Sequence, residues 1–181
     1  MLTVLITGGS RGSRTLNQAA RGSWPLFREA DFAVRLVHQT GREAWGELAP
    51  EFARTGLDGE VVPFIKDMPA AFAEADLVIC RSGAGACAEL AAAGKPAILV
   101  PFPFAADDHQ LRNAEILAAA GAARLVRDAE FDGKRLFEEV RRLASERRLL
   151  ERMGEAARRF ARPGAAARAA DLLEEVADRR F

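Results

Sequence analysis

The run "CRSGAGACAEL", Cys80 to Leu90, follows the apolar stretch "ADLVI" and holds the parts of an anion site. A strand that leaves through serine, glycine, alanine and glycine into a helix presents backbone N–H groups with no partner inside that helix, and such a terminus attracts negative charge. Glu89 falls about one turn inside the helix. A carboxylate there would repel the anion unless it faced a neutral polar part of the same ligand. The pattern therefore suggests a phosphate joined to a hydroxyl-bearing sugar, the outline of a nucleotide. The plain alternative for Glu89 is a solvated side chain favoured by the helix dipole.

Two further stretches carry chemistry. "TGGSRGS", after the first apolar run, matches neither a dinucleotide fingerprint nor a P-loop. It is either a tight turn that lets backbone amides and the Ser10 hydroxyl approach a phosphate, or an ordinary strand-to-helix turn with a capping serine. In "PFPFAADDHQLRNA", Asp107 or Asp108 can cap a helix that then presents His109, Gln110 and Asn113. Gln110 and Asn113 share a face at a spacing of three, and their amides both donate and accept, as sugar hydroxyls require. Other chemistries lack their parts. No nucleophile elbow is present, two histidines are too few for a histidine-based metal site, and no D-x-D occurs in a strand-end loop. No metal and no cofactor are expected.

The elements that must position these residues follow from composition and periodicity. A chain of 181 residues is enough for one well-buried domain, 1–181. Lysine plus arginine equals aspartate plus glutamate at 26 each, so no basic field is available for a nucleic acid and none is expected as a partner. With no run long enough to cross a bilayer and no cleavable leader at "MLTVLITGGS", a cytoplasmic protein is expected. Cys80 and Cys87 match no metal or redox spacing and read as small buried thiols.

Apolar, β-branched runs occur at 2–7, 33–38, 60–65, 77–80, 97–101 and 123–126, separated by stretches of helical period. Continuous apolar strands mean that both sheet faces are buried. The fold class is thus α/β, a doubly wound six-stranded parallel sheet of Rossmann type. Right-handed crossovers bring the loops after every strand to one edge, where ligands of such sheets bind. Beyond Asp128 the chain becomes charged amphipathic helix whose arginines read as a solvated face, broken by Pro163 and Gly164 before a terminal helix at 164–181.

The succession "ITGGSRGSRTLNQ", "HQTG", "VVPFIKDMPAAFAEADLVICRSGAGACAELAAAGKPAILVPFPFAADDHQLRNA" and "GAA" resembles the carboxy-terminal, donor-binding domain of the MurG family, over essentially the whole chain. These are the UDP-N-acetylglucosamine transferases that convert lipid I to lipid II in peptidoglycan synthesis. The resemblance implies a GT-B glycosyltransferase acting with inversion, and it gives roles to particular positions. Ser10 would contact the phosphates, the Ile65 backbone would read the uracil edge, and Met68 would line the ribose side. The Ala84, Gly85 and Ala86 amides would hold phosphate, and Cys87 and Ala88 would belong to the same UDP-N-acetylglucosamine site. Glu89 would take the ribose hydroxyls, and Gln110 and Asn113 would hold the N-acetylglucosamine hydroxyls.

Where relatives often carry leucine and threonine, this chain has Gly85 and Ala86, and His109 stands where glutamine is common. The resemblance further implies a preceding amino-terminal domain that holds the lipid-linked acceptor and the general base. The terminal helix would pack toward that domain, and the whole protein would sit peripherally on the cytoplasmic face of the inner membrane. In the loops that should face the ligand the candidate general bases are His38, His109, Asp107, Asp108 and Glu89, of which the resemblance commits Glu89 to ribose, the aspartates to a helix cap and His109 to the sugar side. None is left to deprotonate an acceptor, so no catalytic residue is expected in this chain. Two other readings stay open: a stand-alone catalytic subunit of this fold that needs a membrane partner, and a UDP-sugar-binding module without chemistry.

Overall fold

The computed structural model describes residues 1–30 and 32–178. Six strands, β1 (Leu2–Thr7), β2 (Val34–Gln39), β3 (Asp58–Val62), β4 (Leu77–Cys80), β5 (Ala97–Leu99) and β6 (Ala123–Leu125), form one sheet in the order β3-β2-β1-β4-β5-β6. Every pairing is parallel. The expected doubly wound α/β sheet is present, and its order reverses between β1 and β4, the switch point at which such sheets open a crevice.

Successive residues of the central strands serve opposite faces. Val4 and Ile6 of β1, Leu77 and Ile79 of β4 and Ile98 of β5 enter one core; Leu5, Val78 and Leu99 enter the other. This two-sided burial is why these strands read as unbroken apolar runs. The helices are α1 (Arg14–Glu29), α2 (Arg42–Ala53), α3 (Met68–Glu74), α4 (Ala84–Ala93), α5 (His109–Ala119), α6 (Gly133–Ser145), α7 (Arg147–Arg158) and α8 (Ala165–Asp178).

Three expectations need adjusting. β3 lies earlier than 60–65, because Pro63 brings no N–H and the Ile65 N–H donates instead to Gln39 Oε1 at 2.7 Å. The charged tail before Pro163 is two helices, with a break at Glu146 between α6 and α7. Its arginines are not all solvated either: Arg135, with Arg124 of β6, pairs with the buried carboxylate of Glu139. The break at Pro163 and Gly164 is present, with Gly164 at φ 79°. From there to residue 177 the chain is exposed throughout, Leu172, Leu173 and Val176 included.

Candidate functional site

The residue before α4 is Gly83, whose backbone is extended and which offers no side-chain cap. The first bond closing this helix runs from the Cys87 N–H to the Gly83 carbonyl at 3.0 Å, so the N–H groups of Ala84, Gly85 and Ala86 have no helical acceptor. A Cβ built on Gly83 or Gly85 would meet only open space. Nothing among the described residues requires glycine at these two positions, and the space beside the orphan donors is clear of them. Ala88 and Glu89 follow on the exposed side, and no described residue bonds to the Glu89 carboxylate. Burial pushes the Cys87 thiol up to about 11 and the fully buried Cys80 thiol further, so neither is a thiolate at neutral pH.

The turn after β1 is built differently. Ser13, not Ser10, caps α1, accepting from the Leu16 N–H at 3.4 Å. Ser10 is exposed and its hydroxyl is uncommitted among the described residues. Gly12 lies at φ 75° with its Cα against the Thr40 carbonyl, and Gly41 packs reciprocally against Arg11. Asn17 strengthens this joint by donating to the Thr40 carbonyl at 3.0 Å while its Oδ1 sits 3.0 Å from His38 Nε2. Since the Asn17 amide nitrogen is already donating, His38 must donate through Nε2. Burial lowers its pKa to about 4, so it is a neutral brace without solvent access and leaves the roster of possible bases.

Gln39, which sequence reasoning passed over, closes the next gap. Its amide donates to the Gly9 carbonyl at 2.8 Å and its Oε1 accepts the Ile65 N–H. Ile65 is therefore tied to the turn that carries Ser10, but half of its backbone is already used and only the carbonyl is left to read a ligand. Met68 is the first residue of α3, half-buried and packed, like Ile65, against the second core, and that helix is capped by Asp67 through the Ala70 N–H at 2.9 Å.

The loop after β5 meets the expected cap in position only. Asp108 is the residue before the first turn of α5, but its side chain makes no capping bond; it and Asp107 both sit in the left-handed region, at φ 52° and 50°, an uncommon and costly conformation outside glycine. Gln110 and Asn113 do share a face, yet each amide is partly spent on the scaffold. Gln110 Oε1 accepts the Phe102 N–H at 3.0 Å, and Asn113 Nδ2 donates to the Ser82 carbonyl at 3.0 Å. The Ser82 hydroxyl in turn donates to the Gln110 carbonyl at 2.8 Å, which locks α5 to the start of α4. What remains for a ligand is the Gln110 NH₂ and the Asn113 Oδ1. His109 is exposed, with Nδ1 held 2.8 Å from the Ala106 carbonyl.

A second group that sequence reasoning missed lies beneath these loops. Arg81 donates to Asp128 and to the carbonyls of Val100 and Pro101, at 3.1 and 3.2 Å, and its guanidinium lies 5.6 Å from the centroid of Phe102. Asp128 also accepts from the Thr15 hydroxyl of α1 at 3.1 Å. Only an arginine ending a buried strand, in "VICRSG", hinted at this from the sequence.

Sequence and structure comparisons bear on this geometry. The family model described as the glycosyltransferase family 28 C-terminal domain matches residues 3–175. Over 177 residues the chain is 67% identical to the UDP-N-acetylglucosamine--N-acetylmuramyl-(pentapeptide) pyrophosphoryl-undecaprenol N-acetylglucosamine transferase of Solibacter usitatus, covering 98% of this chain and 48% of that protein. It is 50% identical to the protein of the same name from Halorhodospira halophila, over 96% of this chain and 48% of that one. The crystal structure of Acinetobacter baumannii MurG superposes with a TM-score of 0.85 at 36% identity, covering 96% of this chain and 50% of that chain. The chain spans about half the length of the curated relatives it matches.

Proposed function

From its membership of the glycosyltransferase family 28 C-terminal domains, we propose that the chain is the donor half of an inverting N-acetylglucosaminyltransferase, binding UDP-N-acetylglucosamine for transfer to lipid I. The observation that carries this reading is the uncapped start of α4, whose glycines face open space beside three orphan N–H groups. The amides of Ala84, Gly85 and Ala86 hold the pyrophosphate, Ser10 adds its hydroxyl, and Glu89 accepts from the ribose hydroxyls. The Ile65 carbonyl, the half of that peptide not held by Gln39, accepts the N3–H of uracil. Met68 lines the ribose side, while the Gln110 NH₂ and Asn113 Oδ1 meet the sugar hydroxyls.

In the reaction, negative charge grows on the departing UDP, and the preorganised amides of α4 stabilise it without reorganising. The acceptor hydroxyl attacks from the opposite face, inverting the anomeric carbon. Its proton goes to a base on the other half of the enzyme, which also positions the lipid-linked acceptor. α8 packs toward that half through Leu172, Leu173 and Val176. No helix among the described residues is long and apolar enough to cross a membrane, and the whole protein reaches the cytoplasmic face of the membrane peripherally.

Calorimetry tests the donor site: UDP and UDP-N-acetylglucosamine should bind, weakly in the absence of the facing half, and ADP should bind less well. Equal affinity for ADP and UDP removes the uracil assignment. Proton abstraction is worth roughly a hundred- to ten-thousandfold, so the chain alone should transfer no radiolabelled sugar to a soluble lipid-linked acceptor. Steady turnover by the chain alone would overturn that division of labour and point to His109, whose Nε2 is the imidazole nitrogen open to solvent.

A further inference from the structure

Arg81 is the side chain on which the carboxyl-edge loops converge. It stands directly before Ser82 and Gly83, so its backbone leads into the α4 turn. Its Nη1 reaches the carbonyls of Val100 and Pro101, where β5 ends, and the carboxylate of Asp128, which follows β6. Through Asp128 it is linked to Thr15 in the first turn of α1. The guanidinium carbon lies over the ring of Phe102, 5.6 Å from its centroid; the Phe102 N–H is held by Gln110, and Phe102 packs edge-on with Phe104, 5.7 Å between centroids. The Arg81 and Asp128 side chains are 15% and 21% exposed, so the pair is mostly withdrawn from solvent and the charge of each is answered by the other.

We infer that Arg81 is a positioning residue: it holds the anion-facing turn of α4, the sugar-side loop at Phe102 and the start of α1 in one register, so that pyrophosphate and sugar recognition depend on a side chain that touches neither. This rests on the donor-site reading above and adds to it a residue of the supporting shell. Arginine suits the task because one planar group supplies several donors and an aromatic-stacking face together; lysine supplies charge alone. The uracil end is held separately, by Gln39 between Gly9 and Ile65, and lies outside this network.

The alternative is that Arg81 meets the phosphates directly as a cation. The two roles predict opposite outcomes at Asp128. If Arg81 positions, Asp128→Asn loosens it and weakens binding; if Arg81 is an anion ligand, removing its competing carboxylate strengthens binding. The test titrates the parent chain, Arg81→Lys and Asp128→Asn with uridine, UDP and UDP-N-acetylglucosamine, with thermal unfolding run beside it to identify folded variants. Both variants should weaken the two diphosphates about tenfold, the worth of one good hydrogen bond, and weaken uridine, which α4 meets only through Glu89, by less. Unaltered diphosphate binding in both variants, tighter binding by Asp128→Asn, or an equal loss for uridine overturns the positioning role. A parent chain that binds none of the three overturns the donor-site reading itself, and this inference falls with it.

Discussion

In the turn after β1, Gly12 sits at positive φ with its Cα against the Thr40 carbonyl, whereas in the turn after β4 a side chain at Gly83 or Gly85 would project into open space. The first turn ends in a helix capped by Ser13; the second ends in a helix with no side-chain cap. β1 and β4 are neighbours in the sheet, so the two turns flank one crevice. Gly12 serves backbone packing in one, and Gly83 and Gly85 give clearance in the other. A glycine-rich loop is therefore not by itself an anion site; the distinguishing feature is whether the protein has already used the donors and the space that the glycines create.

The largest effect should come from breaking the packed turn. Gly12→Ala places a Cβ against the Thr40 backbone and forces alanine into a left-handed conformation, at a combined cost of about 3 kcal/mol. Chemical denaturation should show that loss, or the chain should fail to fold. A variant as stable as the parent would mean that the two loops separate readily. In the open turn the same logic inverts. Gly83→Asp has an allowed backbone, φ −63° and ψ 154°, and supplies α4 with the cap it lacks. Stability should hold or rise while UDP binding falls about a hundredfold, since a carboxylate now occupies the anion's place. Retained UDP affinity would show that the nucleotide binds elsewhere.

Glu89→Gln probes the sideways-facing carboxylate. Losing charge-assisted bonds to two ribose hydroxyls should cost on the order of 1.5 to 3 kcal/mol, or roughly ten- to a hundredfold in affinity, with folding unchanged because no described residue bonds to that carboxylate. Unaltered UDP affinity would leave Glu89 as a solvated side chain favoured by the helix dipole.

Acid should disturb the packed turn selectively. His38 braces it through Asn17, and burial sets the folded pKa near 4 against an ordinary value of 6.5. The unfolded chain binds that proton first, so the stability due to neutral His38 is complete above about pH 6.5 and is lost as pH falls toward 4. By pH 5 the loss amounts to about 2 kcal/mol. Measured from pH 7 to 5, the stability of the parent should fall by that much more than the stability of His38→Gln. Parallel curves for the two proteins would show that His38 is solvated and carries no such burden.

The contrast also explains what the sequence could disclose. Strand identity was legible because two-sided burial imposes unbroken apolar runs, and the small residues of "RSGAGA" pointed to an open helix start. That Ser82 does not cap it was not legible, because its hydroxyl goes to the Gln110 carbonyl 28 positions away. The choice between Ser10 and Ser13 was not, since it depends on where α1 begins, and that is set by Gly12 meeting Thr40 across the sheet. Thr15, Arg81 and Asp128 were invisible for the same reason: the Thr15 and Asp128 contact spans 113 positions. The Asp107–Asp108 pair deceived because capping residues are also those that best tolerate the left-handed region. Local rules favoured both outcomes, and the fold chose the costlier one.

The smallest expected effect separates the two serines of the first turn. Ser10 is exposed and has no bonding partner among the described residues, while Ser13 holds the Leu16 N–H at a long 3.4 Å. If Ser10 donates to a phosphate oxygen, Ser10→Ala should weaken UDP by about 1 kcal/mol, roughly fivefold, and leave both uridine binding and stability alone. Ser13→Ala should do the reverse, lowering stability by about 0.5 to 1 kcal/mol through the lost cap and changing UDP affinity only slightly. Paired titrations and unfolding curves on the two variants read this directly. Should Ser10→Ala bind UDP like the parent, the turn after β1 contributes only architecture, and the anion is held by α4 alone.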